Sequence, residues 1–219
     1  MRRFAVIGLG RFGTTLAREL SRLGADVLAV DLLPENVARV ADDVALAMVG
    51  DATQEKFLRE CGVGSVDVAI VSMGESFEAT QLATVLLKRL GVPRVLTKSS
   101  VPVRIKILTR IGADEVVSPE KEGAERLAQK LLSPSLVEYL DLAGDRALVQ
   151  VVAPPAMVGK TIGELDVRRR YNVNIVAIRK RVGADDETMN DLPRPEDVIE
   201  ADDILVVIGG DEEIQRLTE

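Results

Sequence analysis

Over residues 1–132, short apolar runs alternate with longer segments of helical periodicity, and this alternation restricts the fold more than any other feature of the chain. The short runs fall at residues 4–7, 26–30, 45–49, 66–72, 94–97 and 115–117, and the helical patterns at 11–23, 35–41, 54–60, 76–90, 101–111 and 120–132. Val68-Ala69-Ile70-Val71 is typical of the runs: it has no polar side to turn toward water, so it belongs in a strand covered on both faces. Six such strands separated by helices require parallel pairing with right-handed crossovers. The expected fold is therefore α/β, a doubly wound parallel sheet of Rossmann type.

The rest of the chain reads as a second, smaller α+β C-terminal domain, with strands expected at 147–153, 174–179 and 204–208 and helical patterns at 162–169 and 211–217. The charge changes with it. Residues 1–132 hold 18 Lys plus Arg against 17 Asp plus Glu, while residues 133–219 hold 10 against 18, so the parts carry +1 and −8. Ser133-Pro134-Ser135 breaks the preceding helical pattern at the same place. These observations divide the chain into a first domain at 1–132, a linker at 133–144 and a second domain at 145–219. A length of 219 residues suffices for two cores of ordinary size.

Absences exclude several kinds of chemistry. The sequence has no histidine and one cysteine, Cys61, which rules out histidine-based triads, histidine-ligated metals, disulfide frameworks and multi-cysteine zinc clusters. Cys61 ends a short helical pattern and reads as a buried, inert thiol. A net charge of −7 argues against nucleic acid, whose phosphates need a basic face. The longest uncharged stretch, 147–159, contains Pro154 and Pro155 and falls short of the roughly 18 apolar residues of a membrane span. Met1-Arg2-Arg3 leads directly into the first strand with no apolar leader, so the expected compartment is the cytoplasm.

Gly8-Leu9-Gly10-Arg11-Phe12-Gly13 follows the first strand and opens the first helix. In that context Gly8 permits the tight turn, Gly10 removes a side chain where a pyrophosphate approaches, and Gly13 lets helix and strand pack closely. The helix N-terminus adds free N–H groups and partial positive charge. Asp31 ends the second strand, 18 residues after Gly13, where a carboxylate accepts hydrogen bonds from ribose hydroxyls and repels a 2′-phosphate. An adenosine nucleotide is indicated, and NADP disfavoured. Arg11 is either a bidentate partner for phosphate or a solvated first-turn arginine. Gly50-Asp51-Ala52-Thr53 and Met73-Gly74-Glu75 follow the third and fourth strands, at the sheet edge where such folds bind ligands; for Thr53 and Ser76 a helix N-cap turn is the simpler explanation. Lys98, after the fifth strand, either reaches phosphate or is solvated. Glu120 follows Pro119 and suits the first turn of a helix as a dipole-stabilising charge.

Taken together, the string from Phe4 to Gly13, the strand Val27-Leu28-Ala29-Val30-Asp31, Gly50-Asp51-Ala52-Thr53, Ile111-Gly112-Ala113-Asp114 and Ser118-Pro119-Glu120-Lys121 resemble one family. It is the KtrA/TrkA group of RCK proteins, the regulators of potassium conductance in bacterial potassium uptake systems. In the C-terminal part, Val158-Gly159-Lys160-Thr161-Ile162, Asn174-Ile175-Val176-Ala177-Ile178 and the segment Asp202 to Val207 are also similar. A single nucleotide-binding domain fits the Ktr type better than the tandem Trk type.

The resemblance implies a ring of eight subunits, peripheral on the inner face of the cell membrane and docked on a potassium channel subunit of the KtrB or TrkH kind. It implies a response to ATP against ADP, with NADH bound in some members. By position, Arg11, Asp31, Leu32, Leu33, Asp51, Ala52, Met73, Gly74, Glu75, Lys98, Ser99, Ser100, Arg104 and Glu120 match nucleotide contacts of the family, beside Gly8, Gly10, Phe12 and Gly13 of the glycine turn. Glu120 matches the position tied to a divalent cation, Mg or Ca, near the γ-phosphate. Arg11 matches a residue that reaches nucleotide across a subunit interface, and Arg104 is a departure, since some relatives carry another polar residue there. Some relatives bind cyclic di-AMP through the C-terminal domain, and Ile162, Arg168, Asn174, Ile175 and Pro193 occupy similar positions.

The alternative from another class is an NAD-dependent oxidoreductase, which uses the same turn and acid. Hydride transfer usually needs a proton donor near the substrate carbonyl. Only Tyr139, Tyr171 or a lysine could supply one, and neither tyrosine sits in a recognisable motif. The sequence therefore favours a regulator without catalysis.

Overall fold

The computed structural model describes residues 2–74, 76–132, 136–142, 144–181 and 187–218. The chain divides into two compact units, Met1–Glu122 and Gly123–Glu219. Among the described residues no helix is long and apolar enough to cross a membrane.

The first unit carries strands β1 (Arg3–Ile7), β2 (Asp26–Asp31), β3 (Leu46–Val49), β4 (Val68–Val71), β5 (Arg94–Lys98) and β6 (Glu115–Val117). Helices α1 (Arg11–Arg22), α2 (Pro34–Ala38), α3 (Glu55–Glu60), α4 (Phe77–Arg89) and α5 (Pro102–Arg110) connect them, and α6 (Pro119–Leu132) starts in this unit and continues into the second. All pairings are parallel, in the order β3-β2-β1-β4-β5-β6. This is the doubly wound sheet that the alternation predicts. Both faces are dry for the reason the strand composition gives. Ala5, Ile7, Leu28, Val30, Ala69 and Val71 pack with Leu58, Leu86 and Leu87 on one side, while Val6, Val27, Ala29 and Ile70 pack with Leu9 and Ala17 on the other. Because β1 lies between β2 and β4, the chain leaves its carboxyl edge in opposite directions, and the crevice of such a sheet opens there.

Two glycines are required by geometry. Gly8 has φ +92°, and a Cβ on it would lie 2.9 Å from the Ser72 carbonyl carbon. A Cβ on Gly13 would lie 1.9 Å from the Gly8 carbonyl oxygen, so α1 packs against the end of β1 only with glycine there. Cys61 closes α3, is buried, and has its thiol pushed up by desolvation with Glu60 adding to the effect.

Asp114 ties β6 to its neighbours: it accepts from Val95 N–H at 2.6 Å and from Lys88 at 2.9 Å. The Val95 bond foremost, then Lys88, hold this carboxyl below the ordinary range. A depressed carboxyl contributes stability above its unfolded pKa of about 3.9 and loses it as pH falls through the lowered folded value. Asp114→Asn is therefore expected to cost about 1 kcal/mol near neutrality, a figure kept low by solvent screening of the Lys88 pair. The cost should vanish in acid below the ordinary carboxylate range, and urea unfolding at both ends of that window checks it.

The second unit carries β7 (Leu136–Leu142), β8 (Arg146–Val152), β9 (Asn174–Arg181), β10 (Glu187–Asn190) and β11 (Ile204–Gly209), with helices α7 (Ile162–Leu165), α8 (Val167–Tyr171) and α9 (Asp211–Thr218). Its sheet is antiparallel, in the order β10-β9-β11-β8-β7. Val149, Val151, Ile178, Leu205 and Val207 meet Leu165, Val167, Ile214 and Leu217 in one core.

Three features differ from the sequence expectation. Residues 136–142, assigned to a linker, form β7; a register shift between Leu136 and Glu138 breaks the two-residue alternation that would have announced it. Gly144 and Asp145, both at positive φ, turn the chain into β8, and Tyr139 donates to Asp211 at 2.8 Å. The helical pattern at 162–169 is two short helices, because Asp166 takes the left-handed conformation at φ 43° between them. Strand β10 is short and polar apart from Met189, as edge strands commonly are.

Candidate functional site

At the carboxyl edge of β1, β2 and β4 the first unit opens into a cleft of about 820 Å³. The glycine turn forms its floor. Gly10 caps α1 in an extended conformation, φ −66° and ψ −170°, with no side-chain cap and no acid in the first turn. A Cβ on Gly10 would meet nothing within 4 Å, so the space above it belongs to the cleft. An uncapped helix N-terminus facing an open cavity is an anion cradle.

Asp31 lies beside the glycine turn, at the end of β2. Its carboxylate accepts from Leu9 N–H at 2.5 Å, Leu33 N–H at 2.8 Å and the Asn36 amide at 3.1 Å. Leu32 and Leu33 line the same wall although both are exposed, giving an apolar flank beside an acid. Asp51 accepts from the Thr53 hydroxyl at 2.6 Å and from Thr53 N–H at 2.9 Å, and the hydroxyl bond foremost lowers its carboxyl below the ordinary range. Thr53 thus serves Asp51, and α3 begins one residue later at an uncapped Gln54, against the expectation of a Thr53 cap. Ser76 is a genuine cap, accepting from Ala79 N–H at 3.2 Å.

The far end of the cleft is charged. Lys98 pairs with Glu120 at 2.5 Å and stands 5.7 Å above the Phe12 ring. The Lys98 hydrogen bond is the main reason the Glu120 carboxyl is held below the ordinary range, with its own backbone N–H, then Lys98 and Arg11 charge, contributing. A smaller cavity of about 110 Å³ adjoins, sharing Gly74, Lys98 and Glu120 and lined also by Ser99, Ser100 and Arg104. Arg104 stacks over Phe77 at 5.0 Å.

Most residues singled out in the sequence meet here. Gly8, Gly10, Arg11 and Phe12 line the main cleft, as do Asp31, Leu32, Leu33, Asp51 and Ala52, and Met73, Gly74, Lys98 and Glu120 complete it. Ser99, Ser100 and Arg104 belong to the smaller cavity. Gly13 lies outside the lining and acts through packing, and Glu75 lies outside the described residues. Asn36, Ser72 and Ala79 line the cleft without having been anticipated. Asn36 and Ala79 come from α2 and α4 and Ser72 from the end of β4, a meeting that no local motif encodes. Tyr139 and Tyr171 pack against the second core. Ile162 and Ile175 do the same, Pro193 is half-buried, and Arg168 donates to Asn174 at 2.7 Å.

Among the described residues no group of three or more His, Cys, Asp or Glu is placed to hold a metal. Glu120 is the carboxylate at this end of the cleft, and a cation held beside a nucleotide takes its other oxygens from phosphate and water.

Comparison with known proteins agrees with the geometry. Residues 4–119 match the TrkA-N domain and residues 147–219 the TrkA-C domain. The Ktr system potassium uptake protein C of Bacillus subtilis (strain 168) is 38% identical over 213 residues, 97% of this chain and 94% of that protein. The Ktr system potassium uptake protein A of the same organism is 36% identical over 215 residues, covering 98% and 95% respectively. Among solved structures, the GsuK channel bound to NAD is 27% identical with a TM-score of 0.54; the match takes in 99% of this chain but only 38% of that longer one. With both domains matched in order and more than a third of its residues shared with two Ktr proteins along nearly their whole length, the chain belongs to the KtrA/TrkA family of RCK subunits of bacterial potassium uptake systems.

Proposed function

We propose that this chain is a cytosolic regulatory subunit, without catalytic activity, that gates a membrane potassium channel or transporter according to the adenosine nucleotide it holds. The observation that carries the reading is the uncapped α1 N-terminus at Gly10 opening onto a cleft that Asp31, bonded to Leu9 of the same turn, also lines. In this reading Asp31 receives the ribose and Leu32 and Leu33 flank the adenine. The first phosphates sit on the α1 N–H groups, and Arg11 and Lys98 meet the terminal phosphate charge. Lys98 then exchanges its Glu120 partner for phosphate. ADP and ATP share every contact except those to the γ-phosphate, so only groups at the charged end can favour one assembly shape over another. NADH carries the same adenosine and pyrophosphate, and the NAD-bound GsuK structure supports its entry into this cleft. The ring of eight subunits and a peripheral position on the cytoplasmic membrane face complete the proposal. Cyclic di-AMP binding by the second domain is a further expectation of the resemblance.

Calorimetric titration with ATP, ADP and NADH, with and without magnesium and alongside light scattering, tests the reading. Binding of both ATP and ADP to a large assembly supports it. NADH binding alone, on a small oligomer, would overturn it in favour of an oxidoreductase.

A further inference from the structure

The Asp31 carboxylate is largely committed before any ligand arrives. Oδ2 accepts from Leu9 N–H at 2.5 Å, while Oδ1 accepts from both Leu33 N–H at 2.8 Å and Asn36 Nδ2 at 3.1 Å. A carboxylate offers about four acceptor positions, two on each oxygen. Oδ1 is therefore full, and Oδ2 has one position left. A vicinal diol that donates to both oxygens needs one position on each.

Two of the three donors are fixed. Leu9 N–H follows Gly8, whose own N–H is bonded to Val30 in the sheet, and Leu33 is the residue that caps α2. Asn36 is different: it is a side-chain donor on the short helix α2, half-buried in the cleft wall, and its bond is the longest of the three. Against an ionised acceptor it must present its NH₂ group.

We propose that Asn36 is a specificity-determining residue of the nucleotide cleft, holding the Asp31 position that the second hydroxyl of a ribose needs. This rests on the adenosine-nucleotide reading above. A ribose with two hydroxyls must displace the Asn36 amide to bond both Asp31 oxygens, whereas a ribose with one hydroxyl uses the vacant Oδ2 position and displaces nothing. Asn36 thus narrows the difference in affinity between ATP and its deoxy analogues.

Calorimetry on the full chain with ATP, 2′-deoxy-ATP and 3′-deoxy-ATP tests this, using Asn36→Ala and the similarly branched Asn36→Leu. Both variants are expected to bind ATP about five-fold more tightly, the worth of one exchanged hydrogen bond, and to bind the deoxy analogues as the wild type does. Weaker ATP binding in both variants would overturn the proposal by making Asn36 a direct ligand contact. Equal tightening for all three nucleotides, or no change, would overturn it as well. Disagreement between the two variants would assign the effect to packing and sink the idea. If the wild type binds none of the three, the nucleotide reading itself falls; if it binds them and the variants show the wrong pattern, only the role of Asn36 falls.

Discussion

Gly10→Val is expected to abolish measurable ATP and ADP binding while leaving the unfolding midpoint near that of the wild type. Gly10 has an extended conformation open to any residue, and its missing side chain points into empty cleft, so valine costs the fold little. The same side chain occupies the approach to the α1 N–H groups. Losing two charge-assisted hydrogen bonds there weakens binding by about a hundred-fold or more. Gly13→Ala should show the reverse order of effects. Its Cβ would fall 1.9 Å from the Gly8 carbonyl oxygen, a backbone atom that cannot swing aside. A loss of about 1–3 kcal/mol or more in chemical denaturation is expected. Gly10→Val losing stability, or Gly13→Ala keeping it, would show that the turn is organised differently.

Arg11→Ala is expected to keep ADP binding within a few-fold and to lose the preference for ATP. The side chain is exposed, lines the cleft, and its charge already acts on Glu120 across the far end. In the proposed pose it meets the third phosphate of ATP, and losing that charge-assisted pair weakens ATP by about ten-fold. Comparing the two dissociation constants in the variant decides the matter, since equal losses would make Arg11 a general phosphate contact instead.

The first domain was legible because its chemistry is local. Strands such as Val68–Val71 are apolar on both sides, Gly8 and Gly13 mark a turn that only glycine permits, and Asp31 sits at a strand end fixed by its neighbours. The second domain hid where its signals were broken: β7 by a register shift, the α7 and α8 pair by one left-handed Asp166, and β10 by its polarity. Within the site, the sequence could locate Lys98 and Glu120 but not pair them, because they come from different elements, β5 and α6. Asn36 escaped for the same reason. An asparagine five residues after an aspartate carries no motif, and its partner emerges only when α2 folds back over the end of β2.

The shielding of Cys61 has a consequence for what this protein can sense. Its thiol is shut into the first core and made harder to ionise, so oxidants find little thiolate to attack. The sequence offers no imidazole, and the carboxyls of Asp51, Asp114 and Glu120 are displaced to still lower pH. Across the swings of acidity and redox poise that a living cell undergoes, Cys61 and these three carboxyls therefore keep one charge state. On the function proposed above, these groups leave the occupant of the cleft, and not acidity or oxidation, as what the subunit answers to.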